Sequence, residues 1–177
     1  RYAHSSVYDG MRRRMLVFGG TGEFATYGST WGDDVHALSL DGDPTWSYAL
    51  GPTQRGQGRN FHSAIYDSGN RQMVVFGGRT DDWDPGLLQP WALRLDGEPE
   101  WIDLGSDGAS PGFRWGHSAI YDAHRARMVL FGGDAFGRLK NDTWILKLSC
   151  LTGWEELVVP GTQPSPRTVH TAIYDPN

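Results

Sequence analysis

Residues 114–133 read RWGHSAIYDAHRARMVLFGG, and the fold follows from the fact that this stretch is not alone. Residues 59–78 read RNFHSAIYDSGNRQMVVFGG, and residues 1–20 read RYAHSSVYDGMRRRMLVFGG. A shortened copy, RTVHTAIYDPN, occupies 167–177. The aligned histidines His4, His62, His117 and His170 are spaced by 58, 55 and 53 residues, and the glycine pairs at 19–20, 77–78 and 132–133 keep step. A period near fifty residues marks a repeat array in which each unit is one supersecondary element. Residues that recur in every unit are read as scaffold. Residues present in one unit only are free to carry function.

Within the second unit, 62–66 alternates apolar with small or polar residues and is read as strand A. Asp67-Ser68-Gly69-Asn70 is turn chemistry. The apolar run 73–76 suits a strand buried on both faces, strand B, which Gly77-Gly78 ends. After a variable stretch, 91–95 places Trp91, Leu93 and Leu95 on one face and Ala92 and Arg94 on the other, as strand C. A turn at 96–99 leads to strand D over 101–104. Strand C recurs at 35–40 and 143–148, and the strand-D tryptophan Trp101 recurs as Trp46 and Trp154. Four antiparallel strands form a sheet that cannot bury both faces by itself. Stacked around an axis, such sheets share a core, with tryptophans that can each bury about 200 Å² set between them.

The expected fold is therefore all-β, with four-stranded antiparallel propeller blades at 1–56, 57–111 and 112–166. Residues 167–177 are expected to be the first strand of a further blade. Propellers close with four to eight blades, so the chain is expected to be an incomplete propeller segment. Closure needs either further blades of the same propeller or a second copy. The surplus strand argues against the copy, because it would compete for the partner's first strand.

The Val-Phe-Gly-Gly and Leu-Phe-Gly-Gly strand endings, the Asn141-Asp142-Thr143-Trp144 opening of strand C and the Trp ten residues further on resemble the kelch repeat of the galactose-oxidase-like propellers. The resemblance covers essentially the whole chain. The second unit departs from it, with Leu88-Gln89-Pro90 in place of Asn-Asp-Thr. Kelch domains are mostly interaction modules, so the resemblance implies a non-catalytic protein-interaction scaffold. The alternative is the propeller portion of a larger glycan-binding or carbohydrate-active protein with its catalytic residues elsewhere. The copper site of the galactose-oxidase relatives does not carry over. It requires a Cys cross-linked to a Tyr, and Cys150 falls in a C-to-D turn, away from the axis.

Composition bounds the partners. A formal net charge of −5 disfavours nucleic acid and anionic membranes, and no run approaches the length of a membrane-spanning helix. Cys150 is the one cysteine, so no intrachain disulfide forms and the compartment stays open; a secreted, periplasmic or cell-surface setting is favoured slightly over a cytoplasmic one. A protein partner is expected first and a glycan second, with no cofactor, metal or catalytic residue.

Antiparallel order sends the B-to-C and D-to-A loops to one side of the disc. That side varies between units, and variable loops on a rigid frame are where binding residues sit. The binding candidates there are Phe24, Tyr27, Trp31, Arg55, Arg79, Trp83, Phe136 and Arg138. Asp81, Asp82 and Asp84 are read as a solvated acidic loop, because the spaced ligands of a calcium loop are lacking. The recurring histidines are read as locking each strand A through a side-chain-to-backbone hydrogen bond. The recurring Arg59, Arg114 and Arg167 are read as scaffold contacts.

Overall fold

The computed structural model describes residues 1–22, 32–51, 58–80, 85–105, 108–149 and 152–175, with backbone alone at 85 and 86. The first sheet holds β1 (Ser5–Asp9), β2 (Arg14–Phe18), β3 (Val35–Ser39) and β4 (Trp46–Leu50). The second holds β5 (Ser63–Asp67), β6 (Gln72–Phe76), β7 (Trp91–Arg94) and β8 (Glu100–Asp103). The third holds β9 (Ser118–Asp122), β10 (Arg127–Ala135), β11 (Arg138–Lys147) and β12 (Gly153–Glu156). Every sheet is antiparallel in chain order, and strand A of each blade touches strand A of the next. The described residues contain no α-helix, only a 3₁₀ turn over Pro85–Leu88. This is an unclosed stretch of β-propeller.

Two apolar cores lie between the blades, and the middle blade feeds both. Strand β6 is buried along its whole length because its alternate residues serve different neighbours. Met73 and Val75 join Leu16, Phe18 and Val35 of the first blade. Val74 and Phe76 join Met128, Leu130 and Leu146 of the third. The strand-D tryptophans complete these cores. Trp101 lies 4.9 Å from Phe18 and Trp154 lies 4.7 Å from Phe76, measured between ring centroids, so each docks on the Phe-Gly-Gly phenylalanine of the preceding blade. Trp46 is 54% exposed, with no blade packed on its face among the described residues.

Polar contacts repeat with the same period. Nε2 of His62, His117 and His170 shares a hydrogen bond with Oγ of Ser5, Ser63 and Ser118, at 2.6, 2.8 and 2.9 Å. The expected bond to backbone is thus corrected: the histidine reaches the His-Ser serine of the blade before it. At the other end of strand A, Tyr121 donates to Asp67 at 2.8 Å and Tyr174 to Asp122 at 3.4 Å. Tyr66 takes the same place beside Asp9 outside hydrogen-bonding geometry, where burial and the carboxylate push its hydroxyl far above the ordinary phenol range. The motif His-Ser-x-x-Tyr-Asp is therefore a two-ended clasp between successive blades.

Glycine is required at 77 and 78 for a steric reason. Gly77 has φ +63°, and a Cβ there would lie 2.6 Å from the Arg114 carbonyl oxygen of the next blade. Gly78, at φ +99°, donates its N–H to that same carbonyl at 3.0 Å.

Two expectations about elements fail. By the pattern of the second unit, in which the glycine pair ends strand B and a variable stretch follows, residues 134–141 would be a loop. Instead β10 runs through the glycines with a register shift between Phe131 and Gly133, and it pairs with β11 as a continuous hairpin. The extended pairing is possible because the segment is only long enough for a two-residue turn at Phe136-Gly137. Residues 167–175, expected as a strand, form no ladder. A strand A pairs with the strand B that follows it, and no strand B follows this segment among the described residues. It still keeps its place through the His170 and Tyr174 bonds and through Val169 N–H donating to the Gly116 carbonyl at 2.7 Å.

Candidate functional site

The variable loop face is assembled on a fixed frame. Each unit carries Arg-x-x-His before strand A, and the arginine is structural where it is buried. Arg114, 1% exposed, donates to both carboxylate oxygens of Asp142, at 2.7 and 3.0 Å, and to the Gly132 carbonyl at 3.0 Å. Arg1 makes the matching pair with Asp34, at 3.0 Å to each oxygen. Burial works against ionisation of Asp142, but the bonds from Arg114 and the Trp144 indole outweigh it and hold its carboxyl below the usual range. In the middle blade the corresponding position is Gln89, and Arg59 donates to the Gly77 carbonyl at 3.3 Å. The arginines at 59 and 114 are thus built into the scaffold.

The histidines are likewise engaged in the frame. Burial depresses His62 well below the ordinary imidazole value, with Arg59 adding to the effect. Burial, then Arg114 and His170, lower His117 to about 3, against a smaller opposing pull from the Phe76 carbonyl. Both are neutral at physiological pH and bonded to serine. No three His, Cys, Asp or Glu side chains converge to hold a metal among the described residues.

What varies is the pair between arginine and histidine: Tyr2-Ala3, Asn60-Phe61, Trp115-Gly116 and Thr168-Val169. The second residue of each pair is left-handed, at φ +55°, +52°, +63° and +55°. Its N–H donates to the equivalent carbonyl of the preceding blade: Phe61 to Ala3 at 2.9 Å, Gly116 to Phe61 at 2.8 Å, Val169 to Gly116 at 2.7 Å. The first residue bridges to the one after each glycine pair, as Tyr2 with Thr21, Asn60 with Arg79 and Trp115 with Asp134. The frame thus brings six variable positions together at the loop end of the innermost strands.

Aromatic side chains collect there. Phe61 and Trp115 meet edge to face at 5.3 Å, and the Arg79 guanidinium carbon sits 5.3 Å from the Trp115 ring centroid, a cation–π arrangement. Further along the third blade, Phe113 and Phe136 lie 4.8 Å apart at 30°. Phe136 tops the β10–β11 hairpin and is 69% exposed. Arg138 follows it, also exposed.

Of the residues expected to bind, Arg79, Phe136 and Arg138 lie on this face, with Arg79 on the Trp115 cluster and Phe136 and Arg138 on the hairpin. Phe24, Tyr27, Trp31, Arg55 and Trp83 lie outside the described residues, as do Asp81, Asp82 and Asp84. Sequence reasoning missed Tyr2, Phe61, Phe113 and Trp115. The signal for three of them was present: inside a repeated Arg-x-x-His, only the two middle residues change from unit to unit.

Known proteins share these features. The family model described as the KLHDC2/KLHL20/DRC7 Kelch-repeats domain matches residues 28–177. Adagio protein 3 of Arabidopsis thaliana is 33% identical over 156 residues, 86% of this chain and 24% of that protein. Dynein regulatory complex subunit 7 of Chlamydomonas reinhardtii is 33% identical over 123 residues, 70% of this chain and 10% of that protein. The chain spans about a quarter or less of the length of these relatives. In three dimensions it is similar to the structure of YjhT, with a TM-score of 0.60 at 15% identity, over 88% of this chain and 45% of that one. That likeness is one of fold.

Proposed function

Because the chain belongs to the kelch-repeat β-propeller family, we propose that it is a non-catalytic scaffold that binds a protein partner through its variable loop face. One observation carries this reading. On a frame whose buried arginines bond within their own blades and whose histidines and glycines bond between blades, the side chains at the loop end change from unit to unit. They include Phe61, Trp115 and Phe136, with Arg79 over Trp115. Aromatic residues and arginine are the side chains that dominate binding energy at protein interfaces, and a rigid frame lowers the entropy cost of presenting them. The opposite side carries short A-to-B turns, whose backbone N–H groups bond to Asp9 and Asp67.

The test is comparative affinity capture by the full-length protein and its Trp115→Ala variant, read by quantitative mass spectrometry. Proteins bound through this face are depleted at least tenfold from the variant, as expected for the loss of a hot-spot aromatic. Identical recovery by both would reject the assignment. A glycan array on the same protein examines the alternative that the face reads sugars.

A further inference from the structure

We infer that the β10–β11 hairpin is the anchor of the loop face, and that it takes an acidic protein segment carrying an aromatic or branched apolar side chain. The inference rests on the protein-binding reading above and names the partner's chemistry. Three observations support it.

The first is conformational. Phe136 and Gly137 both have positive φ, at +54° and +80°, which makes the hairpin turn one that strongly prefers Asn, Asp or Gly at its first position. A phenylalanine there is a strained choice, and the turn is held by the Gly137 N–H donating to the Asp134 carboxylate at 2.6 Å. The fold does not need that ring for its core, because it is 69% exposed. Strain retained at an exposed position is a mark of function.

The second is the platform. Phe113 lies against Phe136, so the hairpin presents a paired aromatic surface rather than a lone ring, and Leu139 beside it is 47% exposed. The third is charge. Arg138 and Lys140 project from the same hairpin, and neither pairs with a carboxylate among the described residues. The acids nearest in the chain are occupied: Asp134 by the turn N–H and Asp142 by Arg114. In a chain of net charge −5 this is a local basic spot on the hairpin, on the strand face opposite Leu139, and its electrostatic complement is acidic.

The experiment is selection of a phage-displayed random dodecapeptide library against the immobilised full-length protein. Synthetic versions of the enriched peptides are then titrated against wild type, Phe136→Asn and the double variant Arg138→Glu/Lys140→Glu. Asn suits the positive φ, so Phe136→Asn folds, with a Tm within about 4 °C of wild type. The double variant alters one exposed position, Arg138, and one half-buried one, Lys140, so its Tm is measured beside that of Phe136→Asn. Enriched peptides should combine Asp or Glu with aromatic or branched apolar residues. Their affinity should fall at least tenfold in either variant, and it should weaken with added salt. Peptides that lack acidic residues, or that bind both variants as tightly as wild type, overturn the inference. If those peptides instead lose affinity on Trp115→Ala, the loop face remains the binding face and the hairpin alone is displaced from it. If no peptide is enriched at all, the hairpin is rejected as a peptide anchor, while the capture experiment still decides the broader reading.

Discussion

At the scale of single residues, the buried histidines set a pH dependence whose direction is fixed. His62 and His117 are held below the ordinary imidazole value near 6.5, His117 at about 3. The unfolded chain therefore binds protons that the folded chain refuses in the window between those values. Stability is fully present above about pH 6.5 and is lost as pH falls toward 3. The carboxyls of Asp9, Asp122 and Asp142, held below their ordinary 3.8, add a second loss that begins only near and below that value. The expected result is a urea midpoint that is flat from pH 8 to 7 and falls steadily from about 6.5 to 4.5. A midpoint rising on acidification would contradict neutral, serine-bonded histidines. This scale also shows what the sequence concealed. Recurrence identified the histidines as scaffold, since a catalytic residue has no reason to appear four times. It could not identify their partner, because the His-Ser dipeptide sits within one unit while the bond joins the histidine of one unit to the serine of another.

At the scale of elements, the opening of strand C is set by an ion pair whose arginine is out of water. Arg114 is 1% exposed and its charge is met by Asp142 in a two-bond fork. Removing the acid leaves a buried guanidinium with carbonyl partners only. Asp142→Ala should therefore destabilise the chain by about 3–5 kcal/mol. Asp34→Ala should cost less, since Arg1 keeps 20% of its side chain in solvent and can be hydrated in place. Chemical denaturation of the two variants measures the difference, and equal costs would show that burial of the pair does not matter. The same element explains a misreading. The hairpin over β10 and β11 is hidden in the sequence because its turn is Phe-Gly where Asn-Gly or Asp-Gly would signal one, and because Gly-Gly had ended the preceding B strands. In the other two blades the strands fall within a residue or two of their expected places, since alternation and turn residues are local properties. The binding side chains are less legible, because what makes Trp115 and Arg79 a cluster is the approach of two blades, and no single unit contains it.

At the scale of the whole molecule, stability resides between blades, and the tryptophans provide the means to test it. Trp46, Trp101 and Trp154 occupy one repeated position, so a purely local account of each sheet would give them equal weight. Their surroundings differ. Trp154 is 6% exposed and packs on Phe76 with Leu130 and Leu146 around it, whereas Trp46 is 54% exposed, with the His36 ring 6.3 Å away. If apolar contact between successive sheets holds the propeller together, Trp154→Ala opens a cavity in a closed core and should cost about 3–5 kcal/mol. Within residues 1–177 alone, Trp46→Ala removes a ring that faces water, and should change the stability of that segment by no more than about 0.5 kcal/mol. Acrylamide should quench Trp46 emission more strongly than that of Trp154, read in variants that retain one or the other. Matching costs for the two substitutions would mean that each sheet supports itself. The clasp residues, the glycine constraint and the shared cores would then lose their common explanation.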